Sequence, residues 1–152
     1  MRAHRQTTLA KSVSLAGVGL HSGAECRAVL RPALAESGVG FRRIDAGGYV
    51  EAEIKASVSS VAETRLCTCL ANNRGRTIAT VEHLLAAIAV TGVDNMIVDV
   101  DGDELPILDG SAAPFVEAIE RAGVETLAAP RSAIRMREAV EARDGDRLIR
   151  IE

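Results

Sequence analysis

The sequence predicts an α+β fold in which two helices pack on one face of a sheet. Two segments repeat apolar residues at helical spacing, and several short segments alternate apolar and polar residues between turns rich in glycine, proline and asparagine. Short strands separated by turns favour antiparallel pairing. A chain of 152 residues is long enough for one domain with a core, or for one domain and the start of another.

The composition excludes several classes of function. With 47% hydrophobic and 26% charged residues, the chain is typical of globular proteins. A net charge of −3 and only three aromatic residues argue against nucleic acid as a partner. No apolar run approaches the ~20 residues of a membrane span, and the first ten residues lack the apolar segment of a signal peptide. The odd number of cysteines, three, suits free thiols in a reducing compartment, so we expect a cytoplasmic protein.

Strands are predicted on both sides of a central helix. Before the helix, five segments have strand character: residues 7–15, 25–31, 39–44, 49–54 and 64–70. After the helix, residues 95–100 form an apolar run of strand length.

Two details of the strand region bear on function. The glycine-rich segment 17–23 is predicted to be a hairpin connection rather than a phosphate-binding loop, because it lacks the third glycine of a dinucleotide fingerprint and no helical pattern follows it. Cys67 and Cys69 alternate within a predicted strand, so we expect their side chains on opposite faces.

The central helix is predicted from the apolar spacing between Thr80 and Gly92. Its apolar stripe at i, i+3, i+4 and i+7 consists of Val81, Leu84, Leu85 and Ile88. Alanines and Val90 occupy the other faces, so the helix is expected to be buried nearly all round. Thr80 is the expected N-cap, and Gly92 is expected to end the helix in a left-handed turn.

Glu82 and His83 are the only ionisable residues of this helix. They are adjacent in its first turn, and burying both without partners would be costly. One interpretation is a metal-assisted hydrolytic site, with His83 as a ligand and Glu82 as the general base. The other is an ordinary helix start, in which Glu82 interacts with the helix dipole. Spacing alone favours the second, because no other histidine lies one turn away.

The region that follows the helix contains an acidic segment and a second helix. Residues 99–104 resemble a calcium loop but lack its glycine and glutamate positions, so a solvated turn is predicted. The second helix is expected to be capped by Ser111 and closed by Gly123, with Asp109 capping or orienting it rather than doing chemistry. Its expected inner face consists of Phe115, Ile119 and Ala122.

A new strand pattern begins beyond Pro130, breaks at residues 144–145 and resumes at residues 148–152. The sequence stops within this pattern, with its apolar residues uncovered. We therefore expect two units, an N-terminal α+β domain at residues 1–129 and the opening strands of a second α+β domain at residues 130–152, with the chain continuing elsewhere.

Four motifs in a fixed order carry a resemblance to a known family. They are Gly-Val-Gly-Leu-His-Ser-Gly at residues 17–23, Leu-Cys-Thr-Cys-Leu at 66–70, Thr-Val-Glu-His-Leu at 80–84 and Pro-Ile-Leu-Asp-Gly-Ser-Ala-Ala-Pro-Phe at 106–115. At these intervals the chain closely resembles the UDP-3-O-acyl-N-acetylglucosamine deacetylases, zinc hydrolases of lipid A biosynthesis. The resemblance extends over the whole chain.

The resemblance implies a fold and a set of residue roles. The fold is two similar α+β domains with the active site between them. Glu82 is similar to the family's general base and His83 to one of its zinc ligands. Leu66 and Cys67 resemble residues that line the approach of the substrate or its acyl chain, and His21 resembles a histidine near the active site. The implied reaction is hydrolysis of the N-acetyl group of UDP-3-O-acyl-N-acetylglucosamine, with release of acetate.

Part of the family pattern has no counterpart in the chain. The other two zinc ligands, in a His-Lys-x-x-Asp motif, and the histidine that acts as general acid belong to the family's second domain. The resemblance therefore implies activity for a full-length parent, while residues 1–152 alone are expected to be inactive and to self-associate through an uncovered face. The alternatives are a non-catalytic binding module and a zinc site within the chain that uses His21 or a cysteine.

Overall fold

A computed structural model describes residues 4–44, 48, 50, 53–132 and 136–152. Within these ranges the chain forms twelve strands and two α-helices. In chain order they are β1 (Arg5–Leu9), β2 (Val13–Val18), β3 (Glu25–Pro32), β4 (Val39–Arg43), β5 (Ile54–Lys55), β6 (Val61–Glu63), β7 (Cys69–Ala71), β8 (Thr77–Ile78), α1 (Glu82–Thr91), β9 (Met96–Val100), α2 (Ala113–Ala122), β10 (Val124–Pro130), β11 (Val140–Asp144) and β12 (Arg147–Ile151).

The largest sheet has five strands in the order β2-β3-β9-β4-β5. The α+β class is therefore confirmed, but the prediction of a purely antiparallel sheet is wrong, because β4 and β9 pair in parallel. The segment between these two strands contains α1 and the four strands β5 to β8, so it is long enough for the crossover that parallel pairing requires. A separate three-stranded sheet joins β6, β7 and β8.

The two helices pack against each other, and α2 also contacts β2 of the main sheet. The core between these layers is aliphatic apart from two phenylalanines, Phe41 and Phe115. The predicted inner face of α2 is confirmed, since Phe115, Ile119 and Ala122 are all buried. On its outer face Glu117 and Arg121 form an i, i+4 ion pair, at 3.9 Å.

The expectation that α1 is buried nearly all round is wrong. Leu84, Ala87 and Ile88 are buried, but Ala86 and Ala89 are exposed and Val90 is 78% exposed. Helix α2 packs against one side of α1, and Ala86, Ala89 and Val90 form an apolar surface open to solvent.

The ends of α1 are set by backbone conformation. Gly92 has φ +71° and ends the helix in a left-handed turn, as predicted. Thr80 is not the N-cap: Val81 occupies that position without a side-chain cap, and Thr80 itself is left-handed, with φ +58°. The threonine hydroxyl donates a hydrogen bond to Oε1 of Glu104, at 2.8 Å.

Several strand boundaries differ from those predicted. Residues 7–15 belong to two strands, β1 and β2, and the predicted strand at residues 64–70 begins only at Cys69. Cys67 therefore lies outside any strand, and the expected alternation of the two thiols is wrong. Of the strand predicted at residues 49–54, only Ile54 is a described strand residue, and residues 49, 51 and 52 lie outside the described part.

The end of the chain forms two antiparallel pairs. Strand β10 pairs with β1, and β11 pairs with β12 in a hairpin whose residues are all exposed. Residue 134 lies outside the described part, and Met136 is not in a strand. The domain boundary near Pro130 stays a prediction, as does self-association, although Leu148, Ile149 and Ile151 of the hairpin are exposed.

Within the described residues, no helix has both the length and the apolar character needed to cross a membrane.

Matched truncations test the two sides of α1. Leu84→Ala leaves a cavity in the core and should lower the free energy of unfolding by about 2–5 kcal/mol. Val90→Ala removes an exposed side chain and should change it by no more than about 0.5 kcal/mol. Urea unfolding of both variants measures the difference. Equal losses would contradict the one-sided burial of this helix.

Candidate active site

The first turn of α1 is held by the loop that precedes β7. The Thr68 carbonyl accepts a hydrogen bond from the N–H of Val81 at 3.3 Å, and the N–H of Thr68 donates to Oε2 of Glu82 at 2.9 Å. One oxygen of the Glu82 carboxylate is therefore anchored. Within the described residues, Oε2 is the Glu82 oxygen that takes part in hydrogen bonding.

His83 is half-buried beside this carboxylate. Its Nδ1 atom is buried and makes no hydrogen bond within the part of the chain that the structure describes. Buried polar side-chain atoms usually have partners, so an unpaired ring nitrogen at this position requires an explanation. A neutral imidazole nitrogen is also the commonest protein ligand for transition metals.

Asp109 lies within electrostatic reach of His83 at the start of α2. The N–H and hydroxyl of Ser111 both donate to Oδ1 of Asp109 at 2.8 Å, and these bonds lower the pKa of Asp109, with a smaller lowering from His83. The Ser111 hydroxyl in turn accepts the N–H of Ala113 at 3.1 Å. Asp109 thus contacts the start of α2 through Ser111, and Ser111 supplies the capping oxygen although Ala112 is the N-cap residue.

The acidic segment 99–104 is not the solvated turn that the sequence predicted. Asp99 is 2% exposed on β9, where it forms ion pairs with Arg31 and Arg42 of the two neighbouring strands. Glu104 is 4% exposed. Of the four acidic residues in segment 99–104, only Asp101 and Asp103 are exposed as expected.

Glu104 accepts hydrogen bonds from two distant segments. Its Oε1 accepts the N–H of His21 at 3.0 Å and the hydroxyl of Thr80 at 2.8 Å, and its Oε2 accepts the N–H of Ser22 at 2.9 Å. Sequence reasoning missed this residue. The available signal was Gly19, where an added Cβ would collide with Oε2 of Glu104 and with the Ser22 hydroxyl.

The pKa of Glu104 reflects these contacts. Burial raises the pKa, but the hydrogen bonds from His21, Ser22 and Thr80 outweigh burial and lower the pKa to about 2, from 4.5. The carboxylate is therefore charged at neutral pH.

The remaining residues suggested by the sequence lie near these contacts. The hairpin at residues 17–23 is confirmed by the bond from Gly19 N–H to the Ala24 carbonyl, at 2.9 Å, and His21 is exposed on it. Leu66 is 74% exposed and Cys67 half-buried, in the loop that binds Glu82. The three cysteines are free, and the described residues contain no group of three His, Cys, Asp or Glu that could hold a metal ion by themselves.

The fold and this constellation define an α+β protein with a carboxylate and an imidazole at the start of a half-exposed helix, side chains that are typical of hydrolytic centres. Residues 6–152 match the LpxC family model, described as UDP-3-O-acyl N-acetylglycosamine deacetylase, and the chain belongs to this family.

Curated relatives agree with the family match. A UDP-3-O-acyl-N-acetylglucosamine deacetylase of Colwellia psychrerythraea is 50% identical over 143 residues, and one of Pseudoalteromonas atlantica is 46% identical over the same length. A relative of the same name from Vibrio cholerae is 48% identical. Each match covers 94% of this chain but 46% of the relative, so the chain spans slightly less than half of the length of these proteins.

The low pKa of Glu104 predicts a specific pH dependence. A carboxylate whose pKa is about 2 when folded and near 4.5 when unfolded stabilises the folded state above pH 4.5, and this stabilisation is lost as the pH falls toward 2. The full contribution is about 3 kcal/mol. The free-energy difference between the wild type and Glu104→Gln should therefore shrink by roughly half between pH 6 and pH 3.

Urea unfolding at several pH values measures this difference. Glu120→Gln is the matched control, because it makes the same chemical change on an exposed side chain of α2. If the difference in the free energy of unfolding between the wild type and Glu104→Gln stays constant from pH 6 to pH 3, the low pKa of Glu104 is wrong.

Proposed function

We propose that this chain supplies the general base and one metal ligand of a zinc-dependent deacetylase. The proposed reaction is hydrolysis of the N-acetyl group of UDP-3-O-acyl-N-acetylglucosamine, a step of lipid A biosynthesis, with release of acetate. The family match and the names of the relatives support the substrate. The observation that carries the chemistry is the pairing of Glu82, anchored through one oxygen, with an adjacent imidazole that has an unpartnered nitrogen.

The donor atoms of the chain fit zinc in part. His83 has the side chain for one ligand, and its unpartnered nitrogen is consistent with an imidazole whose second partner is not among the described residues. A catalytic zinc site needs three protein ligands, and the described residues offer no such group. We expect the other ligands, and the histidine that acts as general acid, from the part of the second domain that lies outside residues 1–152.

The chemistry divides between the ion and the protein. A bound zinc ion lowers the pKa of a water molecule and polarises the substrate carbonyl. Glu82 accepts the proton of the attacking water. Its Oε2 is held by the N–H of Thr68 at 2.9 Å, so the carboxylate has a fixed orientation and its Oε1 is the atom assigned to the proton.

The neighbouring residues have supporting roles in this proposal. Leu66 and Cys67 line the approach of the substrate or its acyl chain, and the high exposure of Leu66 suits contact with an apolar group. His21 lies on a hairpin tied through Glu104 to the start of α1. The three free thiols suit a reducing cytoplasm, where we place the reaction. A non-catalytic binding module is the alternative, since the described residues alone do not complete a metal site.

Acetate release tests the proposal in two proteins. Residues 1–152 alone should release no acetate from the UDP-sugar with zinc present. A fusion of residues 1–152 to the segment that follows the matched region in the Colwellia relative should be active. In this fusion protein, Glu82→Gln keeps an acceptor for Thr68 but cannot take a proton, so kcat should fall about 10²–10⁴-fold with little change in KM.

Glu120→Gln is the control for this experiment, because Glu120 is exposed on the outer face of α2. Activity of residues 1–152 alone would refute the proposal that the chain holds only part of the active site. Full activity of the Glu82→Gln fusion would refute the assignment of Glu82 as the general base. A fusion that binds the UDP-sugar and zinc without turnover would favour the binding module.

Zinc content distinguishes the proposed ligand from a site within the chain. The fusion protein should retain about one equivalent of zinc after dialysis. His83→Ala should lose it, because one of three ligands is removed, whereas His21→Ala should retain it. Loss in both variants would instead support a site that uses His21.

A further inference from the structure

The residue two positions before Glu82 has an unfavourable backbone conformation. Thr80 is left-handed, with φ +58°. A β-branched residue is a genuine outlier in this region, and such strain persists only where the surroundings hold it. Thr80 is buried, and the next residue, Val81, is fully buried. The direction in which α1 leaves the core is therefore set at this turn.

Glu104 is the group that holds the turn. Its Oε1 accepts the Thr80 hydroxyl at 2.8 Å, and its own position is fixed by the backbone. The Ala79 N–H donates to the Asp103 carbonyl at 2.8 Å, and the Leu105 N–H donates to the Ala79 carbonyl at 3.1 Å. Glu104 therefore lies between two residues, Asp103 and Leu105, that are hydrogen-bonded to the residue immediately before Thr80.

The same carboxylate binds the hairpin that carries His21. It accepts the N–H groups of His21 and Ser22 at 3.0 and 2.9 Å. Gly19 lets the hairpin approach this closely, because any side chain at that position would collide with Oε2. One buried charge therefore links the hairpin to the turn before α1, two elements that are far apart in the sequence.

We infer that Glu104 is a positioning residue for the proposed deacetylation. By holding Thr80 in its left-handed conformation and binding the hairpin of residues 19–22, it fixes the orientation of Glu82 and His83 relative to His21. This inference rests on the proposed function, because orientation matters only if these side chains act on a substrate. Glu104 does not touch the substrate, so its effect reaches the reaction through the α1 turn.

Glu104→Gln in the fusion protein tests the inference. The amide keeps the shape of the side chain but replaces one acceptor with a donor that faces the hairpin N–H groups or the Thr80 hydroxyl. We expect kcat to fall about 10- to 100-fold, because small misplacements of catalytic groups have effects of this size. KM and zinc content should stay within about twofold of the wild type, since the groups that bind are still present. Glu120→Gln should leave kcat unchanged, because Glu120 is exposed on the outer face of α2.

Thr80 variants separate positioning from a general loss of stability. Thr80→Val removes the hydroxyl at constant shape and should lower kcat as Glu104→Gln does, and the double variant should lose no more than the worse single variant. Thr80→Ser retains the hydroxyl and should restore kcat to within about twofold of the wild type. This comparison of Thr80→Val with Thr80→Ser still decides the matter if Glu104→Gln does not fold.

Two results would overturn the inference. One is a wild-type kcat in the folded Glu104→Gln fusion. The other is a double variant, Glu104→Gln with Thr80→Val, in which the fold-losses in kcat of the two single variants multiply. Glu82→Gln distinguishes this failure from failure of the proposed function. If Glu82→Gln is inactive and Glu104→Gln is fully active, only the positioning role is wrong. If both variants are fully active, the proposed function is wrong as well.

Discussion

A buried carboxylate, that of Glu104, joins the segments on which the candidate active site stands. A charge that is 4% exposed is tolerated only when hydrogen bonds replace its hydration. Here the bonds come from the backbone of the hairpin and from the Thr80 hydroxyl. Because losing any one of them would leave the charge under-solvated, the hairpin, the turn before α1 and the segment before Leu105 hold their positions together.

The rest of the site follows from this frame. Thr80 begins the turn into α1, the N–H of Thr68 binds the Glu82 carboxylate, and Asp109, which precedes α2, interacts electrostatically with His83. These features lie at one end of a helix whose exposed side is apolar. Glu82 and His83 are half-exposed in this chain. A second domain that covered them would exclude water and strengthen the electrostatic effects on which metal-assisted hydrolysis depends.

Sequence periodicity predicted the elements better than it predicted their surroundings. The two helices, β3, β9 and the hairpin were found from local spacing and turn residues, because these signals lie within a few residues of one another. The parallel pairing of β4 with β9, the exposed side of α1 and the burial of Asp99 depend on distant partners. The clearest example is Glu104, whose partner His21 is 83 residues away. An acidic residue beside two exposed aspartates gave no sign of burial, and only the tight approach at Gly19 could have indicated it. For the site itself, spacing identified Glu82 and His83 as unusual, whereas their roles came from the resemblance.

A zinc-bound crystal of the fusion protein, with anomalous diffraction recorded at the zinc absorption edge, tests the central claim most directly. The claim is that the first turn of α1 is where a metal and a general base meet. It predicts one anomalous peak about 2.0–2.1 Å from a ring nitrogen of His83, the usual zinc–imidazole distance, with the Glu82 carboxylate outside the coordination shell. A single peak elsewhere in the protein, with the His83 imidazole enclosed by packed side chains, would contradict it.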